Sequence, residues 1–293
     1  MSTRQFKRYA LDELFDSIFY RRMAKLEKDP RNRAILEKLS EEERQHYLFW
    51  SSLSGPVELS TWDKLRLRLA LLSGRLLGRV FTVKLLERHE KAVIEEYRRL
   101  LSSKALPQDA AEKLARILRD EEEHEASLAG QIEETRVRYL GSLALGMSDA
   151  IIELSGVHAG FLSYTASSLY TGIAGLIVGV SASMSMAAAA YLQAKQEPGK
   201  APAVSAATTG LMYVATVLVL TAPFLAGLPL LAALAASLSL AFLVLAMFTF
   251  YSSVIRETSF LRDYVENVLV ILLVVAAGYA FGGFVKNVLG FEV

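Results

Sequence analysis

Charge is divided unevenly along this 293-residue chain, and that division limits its possible folds more than any other feature. Residues 1–138 carry 51 Lys, Arg, Asp and Glu, whereas residues 139–293 carry 12. The first stretch has the polarity of a water-exposed module. The second contains five successive apolar stretches, near 139–165, 168–194, 203–226, 229–254 and 264–290. Each supplies the about 20 apolar residues that a helix needs to cross a bilayer. Gln196-Glu197-Pro198-Gly199, Gly227-Leu228-Pro229 and the polar patch from Arg256 to Asp263 punctuate them. The expectation is an all-α protein with a charge-rich domain over 1–138 and a five-helix transmembrane domain over 139–293.

Several chemistries drop out at once. Net charge is +1 and both halves are near balance, so there is no basic reservoir for nucleic acid and none is expected as a partner. The chain has no Cys, which removes thiol catalysis, disulfides, zinc fingers and cysteine-ligated iron. Residues 1–7 are polar with no apolar run behind them, so the first domain is expected in the cytosol. The inner loops then carry Lys195, Lys200, Arg256 and Arg262, and the outer loops carry none. Lys286 alone stands at the outer end, in agreement with the positive-inside rule. Five spans place the C-terminus outside, and a prokaryotic plasma membrane is the expected location.

The first apolar stretch is unusual because it contains Asp149, Glu153 and His158. A carboxylate in hydrocarbon costs at least about 2.5 kcal/mol even on permissive scales, so it normally lines a pathway or pairs with something. Asp149 and Glu153 are four residues apart and share one helix face. From Tyr139, Asp149 lies about 15 Å into the span. Stacked acids with no nearby cation suit a divalent metal ion or a proton. His158 reads either as part of that chemistry or as a hydrogen-bonded core residue. The second stretch offers Met184 and Met186, soft donors able to touch a transition metal in passing, or equally to fill space. Gly175 with Gly179, and Gly278 with Gly282, have the small-xxx-small spacing that lets helices approach closely.

The charged domain reads as two helical hairpins. The first pairs a helix over about 11–28 with one over about 33–52, broken at Asp29-Pro30. The second pairs about 81–103 with a helix running from about Asp109 into the membrane. Residues 58–80 form a long connection, and two hairpins joined by one crossover match the ferritin-like four-helix bundle. That connection, with Arg66, Arg68 and Arg75 among leucines, reads either as an amphipathic segment on the inner leaflet or as a crossover packed along the bundle. The acidic residues repeat in register. Glu13 precedes Tyr20 by seven residues, and Glu90 precedes Tyr97 by seven. Glu43 with His46, and Glu121 with His124, are both Glu-x-x-His. One such motif in a Glu-rich helix means little, but the paired copies describe a duplicated hairpin. Four carboxylates and two imidazoles converging in a bundle core form the ligand set of a di-iron or di-manganese site. Glu87 is a candidate seventh ligand, and His89 lies off that face.

At these residues both halves resemble known families. Residues 1–138 are similar to the rubrerythrin-like branch of the ferritin-like superfamily through the duplicated Glu…Tyr and Glu-x-x-His pattern. Residues 139–293 resemble the vacuolar iron transporter family through Gly146-Met147-Ser148-Asp149-Ala150, through Gly175 to Tyr191, and through the five spans. The whole looks like a membrane-bound ferritin-like iron exporter. The resemblance implies a homodimer with a pathway lined by the first two spans, and makes Asp149 and Met186 pathway residues. It further implies export of Fe²⁺ or Mn²⁺ from the cytosol against protons. Two features depart from it. The Glu-rich insert of the eukaryotic branch is reduced to about 194–203 with Glu197 its lone acid, and the usual Gly-Glu before the tyrosine is Ala189-Ala190. Metal collection would then fall to the N-terminal Fe²⁺/Fe³⁺ or Mn²⁺ centre, with a ferroxidase step as an option. The competing expectation is a membrane-tethered di-iron oxidase or peroxidase.

Overall fold

A computed structural model of the chain describes residues 3–103, 106–131, 135–165 and 167–289. Within these, the side chains of 79, 86–92, 123–131, 135, 136 and 289 lie outside the description. The described residues are all helical or connecting, with no strand, and the chain divides into two compact units, Met1–Val137 and Arg138–Val293.

The first unit opens with α1 (Thr3–Leu26) and α2 (Pro30–Ser54) as an antiparallel hairpin. Asp29 caps α2: its Oδ1 accepts from Arg31 N at 2.8 Å and Asn32 N at 3.3 Å, and Pro30 takes the first helical position. Pro loses nothing there, because that N–H would have no intrahelical partner. The Asp-Pro pair read as a break is thus the start signal of the next helix. The first helix begins eight residues earlier than its expected start at 11, because Phe6, Tyr9 and Ala10 extend its apolar stripe. Tyr9 and Ala10 are buried, and Phe6 stacks on Trp50 at 5.6 Å.

The crossover is helical. α3 (Thr61–Leu76) starts with a reciprocal capping box, in which Ser60 Oγ accepts from Asp63 N and the Asp63 carboxylate accepts from Ser60 N at 3.0 Å. α4 (Arg79–Ser102) and α5 (Gln108–Gln131) complete the second hairpin. One core cluster of this unit is aromatic, with Tyr9, Phe49, Trp50 and Tyr97 over Leu100, Leu114 and Ile117. Tyr9, Trp50 and Tyr97 touch pairwise, with ring centroids 4.8–5.1 Å apart.

The expected continuous run from Asp109 into the membrane is interrupted. The break is at Tyr139, which follows α6 (Thr135–Arg138) in a non-helical turn. The Tyr139 hydroxyl accepts from Ala201 N at 2.9 Å, so this residue is spent on pinning a loop.

The second unit contains five helices long and apolar enough to cross a membrane: α7 (Leu140–Tyr164), α8 (Ser168–Ala194), α9 (Pro202–Leu225), α10 (Leu230–Arg256) and α11 (Phe260–Leu289). Gly227, at φ +75°, makes the tight α9–α10 turn. The core gathers Met147, Ile151 and Leu154 of α7 with Tyr213, Val217 and Leu220 of α9, Leu245 of α10 and Ile271 of α11. α7 and α11 meet backbone to backbone. A Cβ on Gly160 would stand 3.2 Å from the Gly278 carbonyl, and one on Gly278 would overlap the Gly156 carbonyl outright. Of the glycine pairs noted in the sequence, Gly278 and Gly282 make this crossing. Gly175 and Gly179 instead admit His158 and Val217.

Candidate metal centre and membrane cleft

Three helices of the first unit bring donor atoms to one point. Glu13 comes from α1, Glu43 and His46 from α2, and Glu121 from α5, and their donor atoms all lie within 4.8 Å of one another. All four are buried. The geometry follows from helix periodicity, since residues three apart share a face. His46 Nδ1 stands 2.9 Å from Glu121 Oε1, 3.4 Å from Glu43 Oε2 and 3.8 Å from Glu13 Oε2.

The surroundings orient these donors. Tyr97 donates its phenolic hydrogen to Glu13 Oε1 at 2.6 Å. The other imidazole nitrogen, His46 Nε2, faces Asp120 Oδ2 at 3.5 Å. A carboxylate behind an imidazole fixes which ring nitrogen is free to bind a cation. Asp16 is a further carboxyl beside the cluster, felt electrostatically by Glu43, Glu13 and Glu121.

Electrostatics shows what such a cluster demands. Burial raises the Glu13 carboxyl well above its usual range; hydrogen bonding to His46 opposes this, while the charges of Glu121 and Glu43 add to it. Asp16 is raised in the same way, by burial first and then by Glu43 and Glu13. Burial would lower His46, but hydrogen bonds to Glu121, Glu13 and Glu43 win and raise it. Burial raises Tyr97 well above its usual value, helped by the charges of Glu13 and Glu121. The site therefore calls for positive charge, as protons or as a cation. Three carboxylates and one imidazole nitrogen fit a divalent first-row metal ion, to which oxygen donors and imidazole both bind.

Of the ligands expected from sequence, Glu13, Glu43, His46 and Glu121 thus come together. The side chains of Glu87, Glu90 and His124, on α4 and α5, lie outside the described residues, as does that of His89. Asp120 and Asp16 were not singled out in the sequence. Asp120 carried a weak signal, standing next to Glu121 and so turned about 100° from it on the helix.

The second unit offers a different site. Asp149 and Glu153 of α7 line an open cleft of ≈ 710 Å³ with Ile177, Ser181, Ser185 and Met186 of α8. The Tyr213 hydroxyl, from α9, donates to Glu153. Met186 thus shares the cleft with both acids, while Met184 is 71% exposed on another face of α8 and does not line it. His158 is fully buried, with Nδ1 3.4 Å from Ser237 Oγ and its ring 4.3 Å from that of Phe224. It packs against Gly175 and lies outside the cleft lining. Glu197, the lone acid of the α8–α9 link, pairs with Lys200 at 2.5 Å, and hydrogen bonds from Lys200 and Gln193 hold its carboxyl below the usual range.

The chain was compared with protein-family models, curated proteins and solved structures, and none of them matches it.

Proposed function

We propose that this protein exports Fe²⁺ or Mn²⁺ from the cytosol through its membrane unit in exchange for protons, and that its first unit captures, senses or oxidises the same metal. The observation that carries the reading is the cleft in which two carboxylates one helical turn apart, Asp149 and Glu153, face Met186 and two serines. Carboxylate, hydroxyl and thioether donors together suit a borderline divalent cation crossing without its full water shell. Protons and metal compete for carboxylates, so protonation from the far side would release the ion and reset the site. Tyr213 holds Glu153 toward one rotamer through its hydrogen bond.

In the first unit, Glu13, Glu43, His46 and Glu121 would hold the metal, with Tyr97 and Asp120 fixing the donors. A bound iron there would supply one-electron redox chemistry. The chain's own residues exclude water, hold the carboxylates and keep His46 Nδ1 turned inward. Glu87, Glu90 and His124 complete the proposed two-metal ligand set of a ferritin-like bundle. The proposed assembly is a homodimer in a prokaryotic plasma membrane, with the metal-collecting unit in the cytosol and the C-terminus outside.

The deciding experiment is metal flux in sealed proteoliposomes with internal pH recorded together. Fe²⁺ or Mn²⁺ movement with opposite proton movement, lost in Asp149→Ala and reduced in Glu43→Ala/Glu121→Ala, supports the exporter. Normal flux in Asp149→Ala removes the pathway assignment. The buried centre with its tyrosine favours one second reading, a membrane-tethered di-iron oxidase. That reading takes over if no metal flux occurs while the centre binds metal and turns over dioxygen or peroxide.

A further inference from the structure

α3 exposes large apolar side chains that the first unit leaves uncovered. Trp62, Leu65, Leu69, Leu72 and Leu76 are between 43% and 67% exposed. They are spaced alternately by three and four residues, so they form one continuous stripe on the helix. The opposite face is firmly seated. Asp63, Leu67 and Gly74 are buried, and a Cβ on Gly74 would stand 2.8 Å from Met23 Cε of α1. The capping box fixes where the helix starts. The stripe is therefore a property of a well-anchored helix and not of a loose segment. Isolated exposed leucines need no account, but four leucines and a tryptophan in register on one helix mark a contact surface.

The charges beside the stripe say what covers it. α3 carries Lys64, Arg66, Arg68 and Arg75 against a single carboxylate, Asp63, which is buried in the capping box. Read as a coiled-coil seam, the stripe would have Arg66, Arg68 and Arg75 at its flanking positions. Self-pairing would set these cations against their own copies with no acid to match them, the wrong pattern for a helix pair. An apolar stripe with a tryptophan at one end and arginines along its flanks is instead the composition of a helix lying in a membrane interface, where anionic headgroups match the arginines. A bilayer is also at hand. The first membrane-length helix starts at Leu140, two residues beyond the end of α6 at Arg138, which tethers the first unit to the membrane surface.

We infer that α3 is an interfacial docking helix that lays Trp62, Leu65, Leu69, Leu72 and Leu76 into an anionic leaflet, with Arg68 and Arg75 at the headgroups. The inference is independent of what the buried centre binds. It makes the first unit a body held against the bilayer at two places, α3 and the entry to α7.

The absence of cysteine makes the test direct. Full-length Leu69→Cys, labelled with an environment-sensitive fluorophore, is reconstituted into nanodiscs of zwitterionic lipid with or without phosphatidylglycerol. The expected result is blue-shifted emission, quenched by lipids brominated on the acyl chain, in anionic discs. Adding Arg68→Glu/Arg75→Glu should reverse both effects while the far-UV circular dichroism and thermal melt match those of the Leu69→Cys parent, which shows that the unit remains folded. Water-like, unquenched emission in both kinds of disc overturns the inference. So does rapid disulfide formation between unlabelled Leu69→Cys chains without lipid quenching, which would assign the stripe to a second copy.

Discussion

Tyr97→Phe tests the buried centre with the smallest available change, the loss of one hydroxyl. That hydroxyl donates to Glu13 Oε1 at 2.6 Å, and Tyr97 is fully buried, so no water can take its place. A hydrogen bond to a charged group is worth about 1.5–3 kcal/mol, or about a 10- to 150-fold change in an equilibrium constant. Loss of a residue that orients a metal ligand typically costs about 10- to 100-fold in metal affinity. The two ranges agree, and a Kd increase of about 10- to 100-fold is expected for Tyr97→Phe. Mn²⁺ is a suitable probe because it resists air oxidation, and competition against a chelator on the full-length protein reads the Kd directly. Tyr9→Phe is the matched control. Its hydroxyl donates to Glu96 at 2.6 Å, and its ring sits in the same aromatic cluster, yet Glu96 is not one of the clustered donors. Its Kd should stay within about twofold of the parent, a change under 0.5 kcal/mol. An unchanged Kd in Tyr97→Phe refutes Glu13 as an oriented ligand. Equal weakening in both variants refutes the hydrogen-bond argument and assigns the effect to packing.

Four further outcomes are expected. Buried Glu13 and half-buried Asp16 have raised carboxyls and so keep protons in the fold that the unfolded chain has already lost; His46, also raised, acts with the same sign above the ordinary imidazole range. Stability of the chelator-treated protein should therefore fall as pH rises above the ordinary carboxylate range, and saturating Mn²⁺ should flatten that slope in thermal melts. Tyr213→Phe should slow metal flux without abolishing it, because it frees Glu153 from its hydrogen bond but leaves both acids in the cleft; wild-type flux would remove Tyr213 from the site. Gly278→Val should destabilise the membrane unit by about 1–3 kcal/mol through overpacking against Gly156, and an unchanged melting temperature in detergent would contradict the close crossing. Ser60→Ala should cost about 1 kcal/mol in chemical unfolding by removing the α3 cap.

The five long helices were legible because hydrophobic run length is a local property, and each observed span overlaps its expected range closely. The bends between elements were less so. Asp29-Pro30 was visible as punctuation, but whether such a pair ends one helix or starts the next depends on where the Asp29 side chain bonds. α3 was hidden because its Arg–Leu alternation resembles neither a clean strand nor a clean helix, although Ser60-x-x-Asp63 is a start signal. At the buried centre, the residue types and spacings of Glu13, Glu43, His46 and Glu121 were readable from helix periodicity. The cross-connection was not. Tyr97 was paired by spacing with Glu90 of its own hairpin, yet it bonds Glu13 of the other, 84 residues away. Asp120 and Tyr213 have the same character: each meets its partner across more than 50 residues, where only packing decides.

The α7–α11 crossing has a mechanical consequence. Helices that touch through side chains can slide a little as rotamers adjust, but a contact between glycine backbones has no such cushion. α7, which carries Asp149 and Glu153, is therefore braced by α11 at Gly156 and Gly160, on the same helix face as the acids and one to two turns beyond Glu153, and the acids sit on a stator. The cleft's other wall is α8, whose Ser181, Ala182 and Ser185 present small side chains to it. In the proposed exporter, opening and closing would be motion of that wall past a fixed pair of carboxylates, with the spacing of the acids constant while access to them changes.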